Sequence, residues 1–374
     1  MADWKGSRTG GFFYREVEWP TFKEVGDYQH ATGGSLEMSA LSDVKVNGSL
    51  SFDGEPPNPA NLLRVFYGFT DAEGRYEEVA VATMGVIAAN PTVSDGIDGV
   101  QMKGKAKLTS MLQILKDVEL NRPYTVKAGE QAIAKAMALI ADCGLPTNSP
   151  DPSAYALSKE WTVAPEDANV LSIVNKLLGF AGYSSAWVDA YGVVQLTPYV
   201  EPTDREATIR FSAGPDSIIR PEMGSENDWG DTPNVVRLSY STDSEFLAAW
   251  CKNVDPAHKA SLPSRGGREK THSEQVSQLA GDTAQERLAN LKEMARSTLA
   301  ANSAEVEYAE VDCAFMPVEP NDAAEVDYAG VSWKGAVMSC KVDLGDDSSE
   351  KVRVRRFVRT ALEVETGGEI LWQQ

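Results

Sequence analysis

The spacing of apolar residues changes twice along the chain, and this change limits the fold more than any single motif does. From residue 35 to about residue 100, apolar and polar side chains alternate as in half-buried strands, most regularly at residues 63–69. Residues 129–182 follow a helical period instead, and alternation returns beyond Arg205. The sequence therefore predicts an α+β fold that is mainly β, with two β regions around a small mixed α/β insertion.

Three helices are predicted from apolar stripes and their terminal residues. The first covers residues 129–143. The second begins at Pro165, a residue type that suits the first position of a helix. The third covers residues 283–301, where Asp282 and Gln285 have the spacing of a capping box.

Composition excludes some classes of protein. The 374 residues are 42% hydrophobic, which is enough to fill the cores of two or three domains. The formal net charge of -20 argues against a nucleic-acid clamp, because phosphate binding needs clustered lysine and arginine. Two roles for the acidity remain open: it keeps the protein soluble, or it lines a channel through which DNA slides without sticking.

No segment of the sequence indicates membrane insertion or secretion. No run approaches the ~20 consecutive apolar residues that span a bilayer. The N-terminus lacks the basic start and apolar core of a secretory signal, so synthesis in the cytoplasm is expected. The cysteines have neither C-x-x-C spacing nor a disulfide framework, so we expect reduced, structural thiols at Cys143, Cys251, Cys313 and Cys340.

Signatures of catalysis and of metal binding are missing from the sequence. The three histidines, His30, His258 and His272, show no zinc-site spacing, and no nucleophile elbow, Walker loop or dinucleotide fingerprint occurs. We therefore predict no metal, no cofactor and no enzymatic activity. A glycosidase needs only two suitably placed carboxylates, and the chain has 55 acidic residues, so a hydrolase remains an alternative.

The most concentrated positive charge lies in residues 351–359, which read KVRVRRFVR. On a strand, one face would carry Lys351, Arg353, Arg355 and Arg359, and valines would occupy the other face. The cations of such a strand either pair with nearby acids and oppose aggregation, or contact an acidic surface on a neighbouring copy.

A polar segment at residues 251–270 is set between apolar, strand-like runs and contains two prolines and two adjacent glycines. Its candidate contact residues are Asn253, Asp255, His258, Arg265, Gly266, Gly267 and Arg268. The glycines would let the backbone approach a partner, and the guanidinium groups would bond carboxylates or carbonyls across a subunit boundary. A plain solvent-exposed turn is the alternative.

This segment resembles a region of the tail-tip (baseplate) hub proteins of tailed bacteriophages. The resemblance rests on an Asn-x-Asp-Pro run at residues 253–256 and a Ser-x-Arg-Gly run beginning at Ser264. The run from Leu171 through Asp189 to the Pro-Tyr exit at residues 198–199 is also similar to that family. The likeness extends over roughly residues 35–365.

The resemblance implies two tail-tube-like β-barrel domains and a structural role in the virion. Three copies would form a homotrimeric hub that adapts a six-fold tail tube to a three-fold tip and lines the DNA passage during ejection. The implied partners are the distal tail protein or tail tube ring, the tape-measure protein and the tip, spike or receptor-binding proteins, with DNA only in transit.

The predicted division has four parts, of which the first is an aromatic arm that folds back on its own chain or docks on a neighbour. The parts are the arm (1–34), a first tube-like β domain (35–110), the α/β insertion (111–202) and a second tube-like β domain with one helix (203–374). Two alternative functions remain open. One is a tail-associated cell-wall hydrolase, and the other is a glycan- or receptor-binding module using aromatics such as Trp187, Tyr191, Trp229 and Trp333.

Overall fold

A computed structural model describes residues 4, 8–96, 99–152, 155–200, 204–212, 220–226, 230–303, 305–328, 330–345, 348–358 and 362–373. Strands predominate in these residues, as predicted. In chain order the first elements are β1 (Arg8–Glu18), β2 (Lys23–Asp27), β3 (Ala31–Ser39), β4 (Val46–Asp53), β5 (Asn61–Asp71), β6 (Tyr76–Gly96), β7 (Gly99–Ser110), α1 (Leu112–Asp117), β8 (Tyr124–Val126), α2 (Ala132–Asp142), β9 (Trp161–Val163), α3 (Val170–Phe180), β10 (Trp187–Val188) and β11 (Val194–Gln195). The remaining elements are β12 (Ile209–Ser212), β13 (Arg220–Glu226), β14 (Val235–Thr242), β15 (Glu245–Asn253), β16 (Thr271–Gln275), α4 (Ala284–Asn302), β17 (Glu305–Ala314), β18 (Ala323–Tyr328), β19 (Val331–Asp343), β20 (Ser349–Val358) and β21 (Val364–Gln373).

Thirteen strands form the largest sheet, in the order β13-β17-β20-β19-β3-β4-β7-β6-β5-β1-β2, and β18 and β12 join it through β19. The alternation seen in the sequence sets the two sides of these strands. On β4, for example, Leu50 and Phe52 are buried, while Ser49 and Ser51 point to the opposite side. One side of strands such as β4 therefore builds the core and the other side is polar, whereas β5 is buried on both sides.

Strand β3 joins the first and last β regions of the chain. It pairs with β4 on one edge and with β19 on the other, where Leu36 lies opposite Val342 and Met38 opposite Cys340. All four side chains are buried in one hydrophobic cluster that contains residues from both regions. The described strands form no closed barrel. The prediction of two separate β-barrels is therefore not confirmed, because both regions contribute to one sheet and one core.

The aromatic N-terminal segment folds back over its own chain. Strand β1 pairs with β5 along its whole length, and Trp4 and Phe12 pack against the common core. The edge strand β2 continues this layer. The predicted boundary of the arm at residue 34 stays a prediction.

The middle of the chain forms a second hydrophobic cluster around α1, α2 and α3. The first predicted helix is confirmed as α2 (Ala132–Asp142). The second prediction began the helix too early: Pro165 opens a short 3-10 turn, and α3 starts at Val170. Asn169 caps this helix, because its Oδ1 accepts a hydrogen bond from the Ser172 backbone N–H at 2.9 Å.

A four-stranded sheet in the order β16-β14-β15-β21 forms the third unit, and α4 covers one of its faces. The predicted helix is confirmed, but its predicted capping pair, Asp282 and Gln285, is wrong by one residue. The Thr283 hydroxyl accepts from the Glu286 backbone N–H at 3.2 Å, and the Glu286 carboxylate accepts from the Thr283 N–H at 3.1 Å. This pair satisfies two helix-end donors reciprocally. The strands of residues 203–374 are thus divided between two sheets.

We expect Leu36→Ala to destabilise both β regions together, because Leu36 is fully buried at the junction and packs over Gly48. The free energy of unfolding should fall by about 2–5 kcal/mol in a single transition, measured by denaturant unfolding. Leu41→Ala is the control, since Leu41 is 64% exposed. Two transitions, of which only one shifts, would contradict a shared core.

Candidate functional site

The polar segment predicted to contact partners begins where β15 ends. Asn253 is fully buried, and its side-chain amide lies 3.1 Å from Nδ1 of His258. Nδ1 of His258 also accepts from the Ala260 backbone N–H, so Nε2 carries the proton that is donated to the Ser303 carbonyl at 3.0 Å. His258 therefore anchors the segment to the C-terminal end of α4. The buried Asn253 and His258 can influence a partner only through the shape of this loop.

The remainder of the segment forms successive turns that expose its glycines. Asp255 accepts from the Ala257 backbone N–H at 2.8 Å, and Arg265 donates to the Thr232 carbonyl at 3.0 Å. Gly266 and Gly267 have φ values of 61° and 80°, which favour glycine, and no atom lies within 4 Å of the Cβ position of either residue. Their backbone is therefore open to a partner, as the functional interpretation requires.

The loop carries positive charge on an acidic chain. Residues 251–270 contain five lysines and arginines and two carboxylates, a net charge of +3. Glu269 already bonds Lys252 and Arg237, each at 3.0 Å. The hydrogen bond from Lys252 is the main cause that lowers the pKa of Glu269. Exposed Arg268 donates through Nε to the Arg265 carbonyl at 3.0 Å. A surface of this kind favours an acidic partner, and the contact role of the loop stays a prediction.

The basic strand is β20, and its predicted faces agree with the structure. Val352 and Val354 are fully buried, whereas Lys351 is exposed and Arg353 and Arg355 are partly exposed. Arg359 lies outside the described residues. The valines contribute to the shared core, so the cations necessarily occupy the polar side of the large sheet.

Neighbouring acids on β17 balance these cations. Lys351 lies 3.5 Å from Asp312, and Arg353 lies 3.6 Å from Glu310. The Arg353 guanidinium also stacks 3.9 Å from the ring centre of Tyr308. Cross-strand pairs of opposite charge stabilise a sheet. The structure thus supplies the intramolecular pairing considered above, and a further contact with a neighbouring copy stays a prediction.

The two predicted contact regions do not lie on one sheet. The loop after β15 belongs to the four-stranded unit, and β20 belongs to the large sheet. A different surface, not found from the sequence, connects strands of both β regions. We call it the polar face: the side of β17, β20, β19, β3, β4 and β7 opposite the core. The alternation within each strand could be read from the sequence, but the order in which the strands pair could not.

The polar face has little net charge. Its register places polar side chains of β4 opposite lysines of β7, and polar side chains of β3 opposite those of β19. Acids of β17 lie opposite cations of β20. The described charged side chains are Lys103, Lys105, Lys107, Lys334, Lys341, Lys351, Arg353 and Arg355 against Glu37, Asp53, Glu310, Asp312 and Asp343. Eight cations against five carboxylates give +3 on a chain of -20. The excess of acid therefore lies elsewhere.

A cavity of about 380 Å³ lies between the loop after β17 and the turn after β10. Glu319, Asp322 and Asp189 line it. Burial, together with the nearby Asp322 and Asp189 carboxylates, raises the pKa of Glu319 to about 7. A carboxyl group that titrates near neutral pH is a feature that general acid catalysis uses. Burial between two acidic loops, without any catalytic role, raises the pKa of a carboxyl group in the same way.

Within the part of the chain described above, no group of three or more histidine, cysteine, aspartate or glutamate side chains is placed to hold a metal ion. The thiols of Cys251, Cys313 and Cys340 are buried and unpaired with one another, and Cys143 is partly buried. Burial raises the pKa of the Cys313 thiol to about 12. None of the described helices is long and apolar enough to cross a membrane.

The fold is that of phage tail proteins. The structure is similar to a tail protein from Neisseria meningitidis MC58, with a TM-score of 0.65 and 15% identity over 92% of this chain and 97% of that one. It is also similar to the 43 kDa tail protein of prophage MuSo2 from Shewanella oneidensis, with a TM-score of 0.61 and 13% identity over 93% and 98% of the two chains. A chain of the Francisella PdpA-VgrG complex matches with a TM-score of 0.53 and 9% identity, over 94% of this chain and 58% of that chain. No protein-family model and no curated protein matches the sequence. The resemblance to tail hub proteins is thus confirmed by fold.

We expect His258→Ala to loosen the loop, because it leaves the Ser303 carbonyl and the Ala260 N–H without their partner. The free energy of unfolding should fall by about 1–3 kcal/mol, and hydrogen exchange should accelerate at residues 253–268 and at the end of α4. His272→Ala is the matched control, since the His272 side chain is 42% exposed. Equal effects of the two variants would show that His258 is no anchor.

The raised pKa of Glu319 predicts that the free energy of unfolding depends on pH. Its pKa is about 7 in the folded protein and 4.5 in a free side chain, so its stabilising contribution is full below about pH 4.5 and is lost as the pH rises through about 7. Burial raises the pKa of Glu350 to about 8, so this residue adds its own slope in the same range. Glu319→Gln should therefore reduce the slope and raise the free energy of unfolding at about pH 8 by up to about 3 kcal/mol. Denaturant unfolding across this range measures it, with exposed Glu37→Gln as control. A wild-type slope in Glu319→Gln would contradict the assignment.

Proposed function

We propose that this protein is a structural component of the phage virion that forms the homotrimeric hub at the tail tip. Made in the host cytoplasm, it would adapt the six-fold tail tube to a three-fold tip and line the DNA passage without catalysing a reaction. Its partners would be the distal tail protein or last tube ring, the tape-measure protein and the tip, spike or receptor-binding proteins. Similarity in fold to phage tail proteins supports a place in the tail.

The single observation that carries the proposal is the continuous polar face. Its six strands, with β13 and β6 beside them, are eight adjacent strands of one chain. At the usual spacing between strands, the first and last of these eight would lie about 34 Å apart. Its mixture of serine, asparagine and nearly balanced charge suits a passage, because a strongly basic lining would hold DNA by its phosphates.

The ends of this eight-strand stretch support assembly into a ring. Among the described strands, β13 pairs only with β17 at one end. At the other end, residues 86–96 of β6 pair with β7 alone of the described strands, since β5 stops pairing at Gly85. Unpaired edges of different sequence favour a head-to-tail contact, and such contacts close into rings when the rotation permits.

Native mass spectrometry of the full-length protein at micromolar concentration should therefore detect three copies. Val93 is 59% exposed on the unpaired part of β6, and Val93→Asp should shift the population to monomer. Leu41→Asp is the matched control, because Leu41 is similarly exposed away from both edges. In purified tails, quantitative mass spectrometry should count three copies for each tip.

Two results would overturn the proposal. One is a monomer at all concentrations together with absence from purified tails. The other is release of cell-wall fragments by the wild-type protein and its loss in Glu319→Gln, which would instead favour the hydrolase. Trimers that persist in Val93→Asp would remove the proposed edge contact but leave the hub itself intact.

A further inference from the structure

Strand β21 is an unprotected edge of the four-stranded sheet. It pairs with β15 from Glu245–Gln373 to Asn253–Val364, and no other described strand pairs with it. Its outer backbone N–H and C=O groups are therefore available along ten residues. Such an edge accepts an added strand, because backbone hydrogen bonds of the ladder need no particular side chain.

Apolar side chains lie beside this edge outside the hydrophobic clusters of the described residues. Leu371 and Trp372 are 50% and 40% exposed. Trp372 lies opposite Phe246, on the sheet face that α4 does not cover. Trp250 occupies the same face and packs closely over Gly367. Among the described residues, Phe246, Trp250 and Trp372 belong to none of the three hydrophobic clusters.

The charge beside the edge is negative. Glu365 and Glu369 project from β21 on this open face, opposite Lys252 and Ala248 respectively. Lys252 already pairs with Glu269 at 3.0 Å. Within the described part of the chain, neither Glu365 nor Glu369 forms an ion pair, and both are exposed.

These features identify one kind of occupant. We propose that the edge of β21 binds an extended segment of another protein in which apolar and basic residues alternate. Successive side chains of an added strand point to opposite faces. Its basic residues would meet Glu365 and Glu369 on the open face, and its apolar residues would extend the core beneath α4, beside half-buried Ile370.

A second copy of this chain does not suit the site. Two β21 edges paired with each other would bring glutamates of one copy against glutamates of the other, and like charges in adjacent strands destabilise a sheet. A positively charged strand is instead attracted by the same glutamates. The site lies on the four-stranded sheet, away from β13 and β6, so this inference holds whether or not the chain forms the proposed ring.

The test uses the full-length protein and a fluorescein-labelled peptide of eight residues that alternates valine and lysine. Fluorescence anisotropy should show saturable binding, and hydrogen exchange should slow at residues 364–373. Glu365→Lys combined with Glu369→Lys should weaken binding by roughly tenfold or more. Trp372→Ala should weaken it as well.

The matched control is Glu119→Lys combined with Glu160→Lys, which changes the net charge equally at exposed positions of the middle unit. We expect it to bind the peptide as the wild type does. An equal loss in both double variants would attribute binding to net charge and overturn the proposal. Equal binding of a valine–glutamate peptide, absence of binding, or protection outside β21 would each overturn it too.

Discussion

The pairing of β3 with β19 is the interaction on which the rest of the structure depends. It joins five residues near the start of the chain, Ser35–Ser39, to Ser339–Asp343 near its end. On one side of this junction, Leu36 and Val342 complete a shared core. On the other side, the same pairing makes the polar face continuous across strands from both β regions. Stability and the proposed lining therefore share one structural origin. The register that buries one face of a strand also fixes which residues are neighbours on its opposite face.

For the recognition of partners, the distribution of charge over the surface matters more than the net charge of the chain. The polar face and the loop at residues 251–270 carry small positive sums, although the whole chain has a net charge of -20. Acid is concentrated on other surfaces, of which β21 is one. A surface recognises its partner through the local field, since screening in salt limits exposed charges to about 10 Å. Composition alone left an acidic lining open as one of two roles for the negative charge, and only the order of the strands shows which residues share a face.

Local patterns predicted elements well and their neighbours poorly. Helix α2 and the alternation of β20 followed from spacing within one segment, because burial of one face imposes that spacing. The junction of β3 with β19 has no such signal, since every strand with an apolar face is a possible neighbour. His258 illustrates the same limit: its acceptor, the Ser303 carbonyl, is 45 residues away. The sequence located the loop, but it gave no indication that this histidine is buried.

The free strand edges differ in ways that separate self-association from association with other proteins. Strand β13 and the free part of β6 lie at opposite ends of an eight-strand stretch of the large sheet. Under the proposed function their contact repeats around an axis with identical geometry in every copy. Pro91 within the free part of β6 lacks a backbone donor, which restricts the registers that an added strand can adopt. Strand β21 lies on another sheet and carries glutamates that oppose pairing with itself. Equivalent backbone groups thus select different partners, because the side chains next to each edge decide which strand can approach.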